Sequence, residues 1–441
     1  MNRPLPYSKS LTGSVLLVVM LVCLGLVSLT IVFSNSMLMA YRGADNSQAA
    51  QQAEQAIEGA ARYAEYLMTQ VTRAGAMPDS TSFQSEALPV GEATFWFIGE
   101  PGASDPLDKP AFGLVDEASK LNLNTATKDM LLGLPGMTAE LADAIVLWRN
   151  SASTSDTSAG GVTFSTAPVK NAPFESVDEL AMVAGMDPTI LYGDDSNLNH
   201  IIDPKEDASA TPSSTGNVNS QINSGLLEYV TVFTREPNTS SSGGARINIT
   251  QPISTELTAL LTSNFTSSRA TEIEQKIRAA RGIRSVLEFY IRSGMTDVEF
   301  EKISGLLTAK GGAFLSGLVN VNTASAAVLS CIPGIDADQA SALIANRSTL
   351  GTAPVSLAWI VPILGEANAI KAGPYLTVNT YQISADVAAV GRHGRGYRRT
   401  RFVIDNSTGT PRIVYRRNMA PLGWALGSEV REMLATKKEM K

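Results

Sequence analysis

The most apolar stretch of the chain lies close to its N-terminus. No charged residue occurs between Ser14 and Ala40, and the apolar run from Val15 to Phe33 would span about 28 Å as a helix, close to the roughly 30 Å hydrocarbon core of a bilayer. Arg3 and Lys9 precede it, and positive charge before a membrane segment keeps the N-terminus in the cytoplasm. The pattern predicts a single-pass membrane helix rather than a cleaved signal peptide, whose apolar core is only about 7–15 residues.

The helical pattern continues beyond this run. Apolar residues recur at steps of three and four, which is one face of a helix. They are Ala50, Ala53, Ile57, Ala60, Ala64, Leu67 and Val71. A helix from Ser14 to Thr72 would be about 90 Å long, and its lower half would present small side chains to a partner sheet while Glu54, Glu58 and Arg62 face water.

A thirty-residue motif occurs twice, as LNLNTATKDMLLGLPGMTAELADAIVLWRN (121–150) and VNVNTASAAVLSCIPGIDADQASALIANRS (319–348). Each copy predicts two short helices joined by a turn, at Pro135–Gly136 and at Pro333–Gly334. Thr138 and Asp336 are placed to cap the second helix. The predicted core positions are Leu131, Leu134, Met137, Leu141 and Ile145, then Leu329, Ile332, Ile335 and Leu343. The motif is a helix-hairpin-helix.

Many hairpins of this kind hold a nucleic-acid phosphate, but charge argues against that use here. The chain has a net charge of −7 and a sequence pI near 5.1. Phosphate-binding hairpins need free backbone N–H groups and nearby basic residues. Here Glu140 and Asp338 occupy the first turn of the second helices. The sequence therefore favours a packing module and argues against nucleic acid as a partner.

Alternating, strand-like segments flank the helical middle of the chain. They are 92–99, 111–124, 375–390, 398–405 and 411–417. The sequence predicts an α+β fold in which the long N-terminal helix packs on an antiparallel sheet, interrupted by a large α-helical insertion. The predicted divisions are 1–13 leader, 14–78 N-terminal helix (14–40 transmembrane), 79–124 first part of the sheet, 125–318 helical insertion, 319–374 second hairpin segment, 375–420 C-terminal strands and 421–441 tail. Linkers rich in Ser, Thr and Gly near 151–167, 207–224 and 239–244 are interpreted as loops.

Three further clusters carry candidate chemistry. Asp194, Asp195, Asn197 and Asn199 could hold a hard cation such as calcium, or form an Asx-rich turn, since their spacing is not that of an EF-hand. Eight arginines between 392 and 417 form either an anion-docking patch or the exposed face of a terminal hairpin. Two cysteines, Cys23 and Cys331, are expected to be unpaired. No catalytic motif accompanies the two histidines, His200 and His393, so the sequence predicts no enzyme.

The basic leader ending in glycine, the uncharged helix and its amphipathic extension resemble the type IV pilin and pseudopilin class. That resemblance implies that a prepilin peptidase cuts between Gly13 and Ser14 and that the new N-terminus is methylated. Most members carry glutamate at the fifth mature position, where this chain has Val18. The departure fits one minor pseudopilin, a subunit without the usual neighbour above it.

The motif order is similar to that of the type II secretion system protein K family. The matching segments are SKLNLNTATKDMLLGLPGM, FESVDELAMVAGMDPTILYG, GLLEYVTVFTREPNTSSSGGARINI and VNVNTASAAVLSCIPGI. The resemblance implies a minor pseudopilin of the inner membrane that reaches the pseudopilus tip, assembles with minor pseudopilins of the I and J types, and carries calcium in some members. The alternative is a membrane-anchored DNA receptor of a competence or pilus system, which also joins one membrane helix to hairpin modules.

Overall fold

The computed structural model describes residues 12–101, 109–150, 169–201, 206, 224–280, 282–350 and 353–439. Its helices are α1 (Thr12–Thr69), α2 (Lys128–Leu132), α3 (Ala139–Arg149), α4 (Pro188–Tyr192), α5 (Thr255–Asn264), α6 (Ser267–Ala279), α7 (Val286–Ser293), α8 (Asp297–Ser304), α9 (Ala326–Leu329), α10 (Ala337–Thr349), α11 (Val361–Leu364), α12 (Glu366–Ala372) and α13 (Gly427–Glu439).

The main sheet is antiparallel throughout and follows the order β1 (Leu88–Val90), β2 (Ala93–Ile98), β12 (Gln382–Gly391), β13 (Arg395–Asp405), β14 (Arg412–Asn418), with β3 (Val115–Asp116) also paired to β12. The remaining strands form two-stranded ladders: β4 (Leu121–Asn122) with β5 (Val230–Thr231), β6 (Arg235–Pro237) with β9 (Phe314–Ser316), β7 (Ile247–Asn248) with β8 (Leu307–Thr308), and β10 (Val319–Asn320) with β11 (Leu376–Thr377).

The lower half of α1 packs on one face of the main sheet, as the stripe of small apolar residues predicts. The buried residues of this interface are Ala53, Ala56, Ile57, Ala60, Ala61, Ala64 and Met68 from the helix, with Phe95, Phe97, Ile383, Ala385, Val387, Ala389, Phe402 and Ile404 from the strands. Alanine lets the helix lie close to the strands, and the aromatic and branched side chains of the sheet supply the buried area. The predicted α+β fold is confirmed.

The turn between β12 and β13 touches the helix backbone. A Cβ atom on Gly391 would stand 2.1 Å from the carbonyl oxygen of Ala49, and one on Gly396 would stand 2.4 Å from the backbone of Ala49 and Ala50. Gly396 also has a φ of +70°. Only glycine satisfies both the approach and the backbone conformation at this position.

We expect Gly396→Ala to lower the free energy of unfolding by about 2–3 kcal/mol, because left-handed backbone strain adds to a forced displacement of α1. Gly409→Ala is the matched control, since Gly409 has a φ of +83° and a Cβ atom placed on it would meet nothing within 4 Å. The control should lose about 1 kcal/mol. Urea unfolding of the full chain in detergent measures both, and equal losses would show that the contact with Ala49 is unimportant.

The helical insertion fills the chain between β3 and β12 and is built from three related units. Each unit begins with one strand of a parallel two-residue ladder and ends with the other strand of that ladder. The three ladders are β4–β5, β7–β8 and β10–β11. In every ladder an apolar–Asn pair lies beside an apolar–Thr pair: Asn122 pairs with Thr231, Asn248 with Thr308 and Asn320 with Thr377. Short helices lie between the two strands of each unit, so the units share one topology.

Side-chain hydrogen bonds repeat with the ladders. Each ladder asparagine accepts from the backbone N–H two residues later, at 2.8, 2.9 and 3.0 Å for Asn122, Asn248 and Asn320. Each ladder threonine does the same through its hydroxyl, at 3.2, 3.3 and 3.2 Å. The first and third units contain the two copies of the predicted motif. The middle unit, residues 247–308, has the same ladder and the same side-chain bonds but lacks the sequence motif.

Two divisions predicted from the sequence differ from the structure. The second hairpin segment, predicted as a unit of its own over 319–374, shares one hydrophobic core with the first: Leu131 and Ile145 belong to the same cluster as Leu329 and Leu343. The 421–441 segment, predicted as a tail, contains α13. Val430 of this helix, with Ala425 and Leu426 just before it, packs on the sheet face opposite α1.

Candidate functional site

The upper half of α1 is the largest exposed apolar surface among the described residues. Val18 is 60% exposed, Phe33 70% and Tyr41 74%. The helix contains an 18-residue window of mean hydropathy 3.1, none of it buried. Monomeric soluble proteins rarely expose contiguous apolar patches above a few hundred Å². By length and composition, this half of the helix is suited to a lipid bilayer or to the matching helices of other subunits.

The predicted processing site lies at the start of the same helix. Gly13 and Ser14 are the second and third residues of α1, and the rest of the leader, residues 1–11, lies outside the described residues. Val18 follows one turn later and is exposed. A carboxylate at that position would need a partner group in the membrane, and valine needs none.

Ion pairs hold the folded domain on α1 near the point where the helix projects from that domain. Asp45 binds the guanidinium groups of both Arg392 and Arg395. Further along, Arg416 bonds to Glu54 at 2.9 Å and to Glu58 at 2.5 Å. These contacts hold the β12–β13 turn and the edge strand β14 on the helix. They also fix how the apolar half of α1 projects from the domain.

The predicted arginine cluster is only partly the exposed hairpin face that its alternation suggested. Arg399 is completely buried, and Arg401 shares the Asp386 carboxylate with it. Arg412 and Arg417 pair with Asp405 and Asp178. The expectation of an exposed face is therefore wrong for Arg399, because its carboxylate partner lies beside it on β12 within the sheet.

A polar junction connects the sheet to the third unit of the insertion. The Asp116 carboxylate at the end of β3 accepts from the hydroxyls of Thr323 and Thr380, both at 2.7 Å, and from the Asn320 amide at 2.9 Å. The backbone N–H of Ala118 donates at 2.8 Å. No cation contacts this carboxylate among the described residues. Burial therefore raises the pKa of Asp116 to about 6, against the four hydrogen bonds that lower it.

We expect Asp116 to make stability depend on pH. The folded chain holds the proton up to about pH 6, whereas the unfolded carboxyl loses it near 3.8. The stabilising contribution is therefore complete below the unfolded pKa and is lost as the pH rises through the folded pKa. Between about pH 3 and about pH 7, wild type should lose about 3 kcal/mol relative to Asp116→Asn. Urea unfolding of both chains across this range measures the difference, and a flat difference would contradict the assignment.

The four candidate calcium ligands close a turn. Asp195 accepts from the backbone N–H groups of Asn199 at 3.1 Å and His200 at 2.7 Å. Asn197 donates to the Trp424 carbonyl at 3.2 Å, Asn199 accepts from the N–H of Ile201 at 3.0 Å, and Asp194 is exposed. Within the described ranges, no group of three or more His, Cys, Asp or Glu side chains could hold a metal ion. Calcium binding by these four residues stays a prediction.

The predicted hairpin turns join α2 to α3 and α9 to α10. Gly136 and Gly334 have φ values of +71° and +89°, which favour glycine. Thr138 and Asp336 cap the following helices as predicted. The two hairpins pack closely against each other. A Cβ atom on Gly133 in the first would lie 3.0 Å from Cys331 in the second.

The terminal arginine of each hairpin is turned inward. Arg149 donates to the carbonyls of Leu123 and Ala126, and Arg347 donates to those of Val321 and Ala324. Lys128 bonds to Asp143 at 2.6 Å. The basic groups nearest the turns therefore already have partners within the chain, which leaves few charges for a phosphate.

Comparison with known proteins points in one direction. The family model described as type II secretion system (T2SS), protein K, matches residues 319–370, the third unit of the insertion. No curated protein matches the chain. A chain from the crystal structure of the GspK-GspI-GspJ complex from the enterotoxigenic Escherichia coli type 2 secretion system is similar with a TM-score of 0.41 and 11% identity, covering 86% of this chain and 99% of that one. The structural likeness is too distant to carry an argument, so the assignment rests on the sequence. Residues 319–370 thus match the type II secretion system protein K family, the family that the motifs of the chain resemble.

Proposed function

We propose that this chain is a minor pseudopilin that acts at the tip of a type II secretion pseudopilus and helps to start fibre assembly for protein export across the outer membrane. One observation carries the proposal: a single helix, α1, joins an exposed apolar half to a half that is packed on an antiparallel sheet. This is how a subunit can be held by the inner membrane and later by the apolar helices of a fibre.

The position at the tip is supported by two features of the chain. Val18 stands where most pilins carry the glutamate that meets a neighbouring subunit, so the chain lacks the usual means of binding a subunit above it. In addition, the insertion between β3 and β12 greatly enlarges the domain beyond the helix and sheet. Added bulk is tolerated best at the end of a fibre, where no further subunit must stack.

By the same proposal, the partners are minor pseudopilins of the I and J types, a prepilin peptidase and the inner membrane, and the chain is not an enzyme. Its N-terminus would be cytoplasmic before processing and the folded domain periplasmic.

His200, one of the two histidines, lies with Nδ1 3.0 Å from the Glu228 carboxylate. The hydrogen bond and charge of Glu228 raise the pKa of His200 despite burial, which acts to lower it. This arrangement suits a structural ion pair.

Co-purification tests the proposal. The full chain, co-expressed with I-type and J-type minor pseudopilins in a secretion-competent host, should be recovered with both, and its deletion should reduce both pseudopili and secretion. Recovery of the chain alone, with normal pseudopili in its absence, would contradict the proposal.

The DNA-receptor alternative makes the opposite prediction for one measurement. It requires a gel shift of duplex DNA by the detergent-solubilised chain that weakens steeply with salt. We expect no shift, because Arg149 and Arg347 donate to backbone carbonyls and Lys128 pairs with Asp143.

A further inference from the structure

A large cleft opens at the end of the folded domain that is farthest from the apolar half of α1. Its volume is about 1270 Å³. Its walls are drawn from the end of α1 and from segments far apart in the chain: 68–74, 236–246, 284–318, 355–381 and 406–411. Met68 follows Ala40 by about 42 Å along the helix axis, so the membrane anchoring proposed above places the cleft well outside the bilayer. We name it the distal cleft.

The distal cleft is larger than a typical small-molecule site and has exposed apolar surface. Small-molecule pockets usually measure about 300–1,000 Å³. In the cleft wall Phe314 is 38% exposed and Val355 40%, and Val286 and Leu306 are half-buried. Apolar side chains exposed within a groove are typical of surfaces that bind another molecule. Size and lining therefore favour a polymer as the ligand.

Two polar groups in the cleft wall lack partners. Tyr381 is 9% exposed, and its hydroxyl has no hydrogen-bond partner among the described residues. Asn406 lies opposite it at the end of the β12–β13 ladder, where the Asn406 backbone N–H donates to the Tyr381 carbonyl at 2.8 Å. The Asn406 side-chain nitrogen donates to the Met68 carbonyl at 3.2 Å, but its Oδ1 is buried and unpartnered within the described part of the chain. Buried polar groups of this kind are rare in folded proteins.

The two groups are complementary to a peptide bond. Burial raises the pKa of Tyr381, so its hydroxyl keeps its proton and can donate, while Asn406 Oδ1 can only accept. Cross-strand neighbours point to the same face of a sheet, so the two side chains leave the sheet side by side. A peptide group offers the matching carbonyl and N–H. An inorganic anion without a proton only accepts and would leave Asn406 unsatisfied.

Basic residues around the cleft have few acidic partners. Five basic side chains line it against two acidic ones, in a chain whose net charge is −7. They are Arg73, Arg246, Arg284, Lys302 and Lys310, against Glu236 and Glu301. Glu236 pairs with Arg246 at 3.2 Å. Among the residues that the structure describes, Arg284, Lys302 and Lys310 form no ion pair. The unpaired cations outnumber the one remaining carboxylate, so an acidic ligand complements the cleft.

We propose that the distal cleft binds an extended, acidic segment of a soluble polypeptide. The apolar wall takes side chains of the segment, Tyr381 and Asn406 take its backbone, and the unpaired cations take its carboxylates. This binding site is additional to the assembly role proposed above and does not depend on it. Anchoring through α1 only determines that soluble proteins can reach the cleft.

Fluorescence anisotropy with a labelled peptide tests the proposal on the full chain in detergent. The probe is a peptide of about eight residues that alternates glutamate and valine and spans about 26 Å when extended. A matched peptide has lysine in place of glutamate. The glutamate peptide should bind at least about ten-fold more tightly, because like charges are repelled from the cleft, and salt should weaken its binding. Equal affinity for the two peptides would overturn the proposal.

Two variants of equal charge change locate the binding. Arg284→Gln with Lys310→Gln should weaken binding of the glutamate peptide at least about five-fold. Arg62→Gln with Lys371→Gln removes the same charge from exposed positions that do not line the cleft and should leave binding unchanged. Equal losses in both variants would overturn the assignment to the cleft, because net charge would then be sufficient.

Tyr381→Phe separates binding from stability. It should weaken binding of the glutamate peptide about five-fold, a factor typical of one neutral hydrogen bond. The urea midpoint of the free chain should not fall, since the hydroxyl bonds to no described residue. A lower midpoint with unchanged peptide binding would show that the hydroxyl is structural and would overturn its contact with the peptide.

A thymidine oligonucleotide is the competing acidic polymer. We expect it to bind more weakly than the glutamate peptide. An oligonucleotide that binds as tightly, and that loses affinity in the variant with Arg284→Gln and Lys310→Gln, would assign the cleft to nucleic acid and overturn the polypeptide. None of these outcomes bears on co-purification with the minor pseudopilins, so the two proposals fail separately.

Discussion

Gly13→Leu is expected to leave the chain in the membrane fraction with its leader still attached. The family resemblance implies a cut between Gly13 and Ser14, and a peptidase that selects a residue without a side chain would not accept leucine there. Loss of processing should be complete rather than partial. Mass analysis of the intact protein from membranes reads the result directly, because the leader is either present or absent.

A second glycine of the same helix is the control for this substitution. Gly25 lies within the exposed apolar half of α1, and a Cβ atom built on it meets nothing within 4 Å. Gly25→Leu should therefore be processed normally while making the helix slightly more apolar. A mature-sized product from Gly13→Leu, or an unprocessed one from Gly25→Leu, would contradict the cleavage site.

Elements with a strong local pattern could be predicted from the sequence. The stripe of alanines at helical spacing predicted α1 and the face that it buries, because that face depends only on the order of nearby residues. The caps at Thr138 and Asp336 were predicted for the same reason, since a cap bonds to a backbone group three residues away.

The middle unit of the insertion could not be found by its motif. Its first two helices, α5 and α6, are joined at Phe265 and Thr266, where the other units have a Pro-Gly turn. What the three units share is the paired ladder, which joins residues that are far apart in the chain, such as Asn248 and Thr308. The repeat of asparagine and threonine becomes recognisable only once the pairing of the two strands is known.

Contacts between segments that are far apart in the chain could not be predicted from the sequence either. Asp116 finds its hydroxyl partners more than 200 residues away, at Thr323 and Thr380. The candidate calcium residues had the right chemistry, but Asp195 uses its oxygens on the backbone of its own turn.

Arg399 is fully buried and forms hydrogen bonds with residues from distant parts of the chain. Its guanidinium forms two hydrogen bonds to Asp386, at 2.9 and 2.8 Å, and also donates to the carbonyls of Asn197 and Leu198. Burial acts to raise the pKa of Asp386, but the charges of Arg399 and Arg401 outweigh it and hold that pKa below its usual value. One side chain thus satisfies a buried carboxylate and connects the sheet to the first unit of the insertion.

We expect Arg399→Met to lower the free energy of unfolding by about 3–5 kcal/mol, because methionine leaves the Asp386 carboxylate and two buried carbonyls without this donor. Arg401 keeps two bonds to Asp386, at 3.2 and 2.9 Å, but neither replaces the bonds to the carbonyls at 197–198. Arg398→Met is the matched control: Arg398 is the preceding residue, is exposed, and lies 3.9 Å from Glu54, so its loss should cost less than about 1 kcal/mol. Urea unfolding of the full chain in detergent measures both variants. A loss for Arg399→Met no larger than that for Arg398→Met would show that the sheet and the insertion are held together without this arginine.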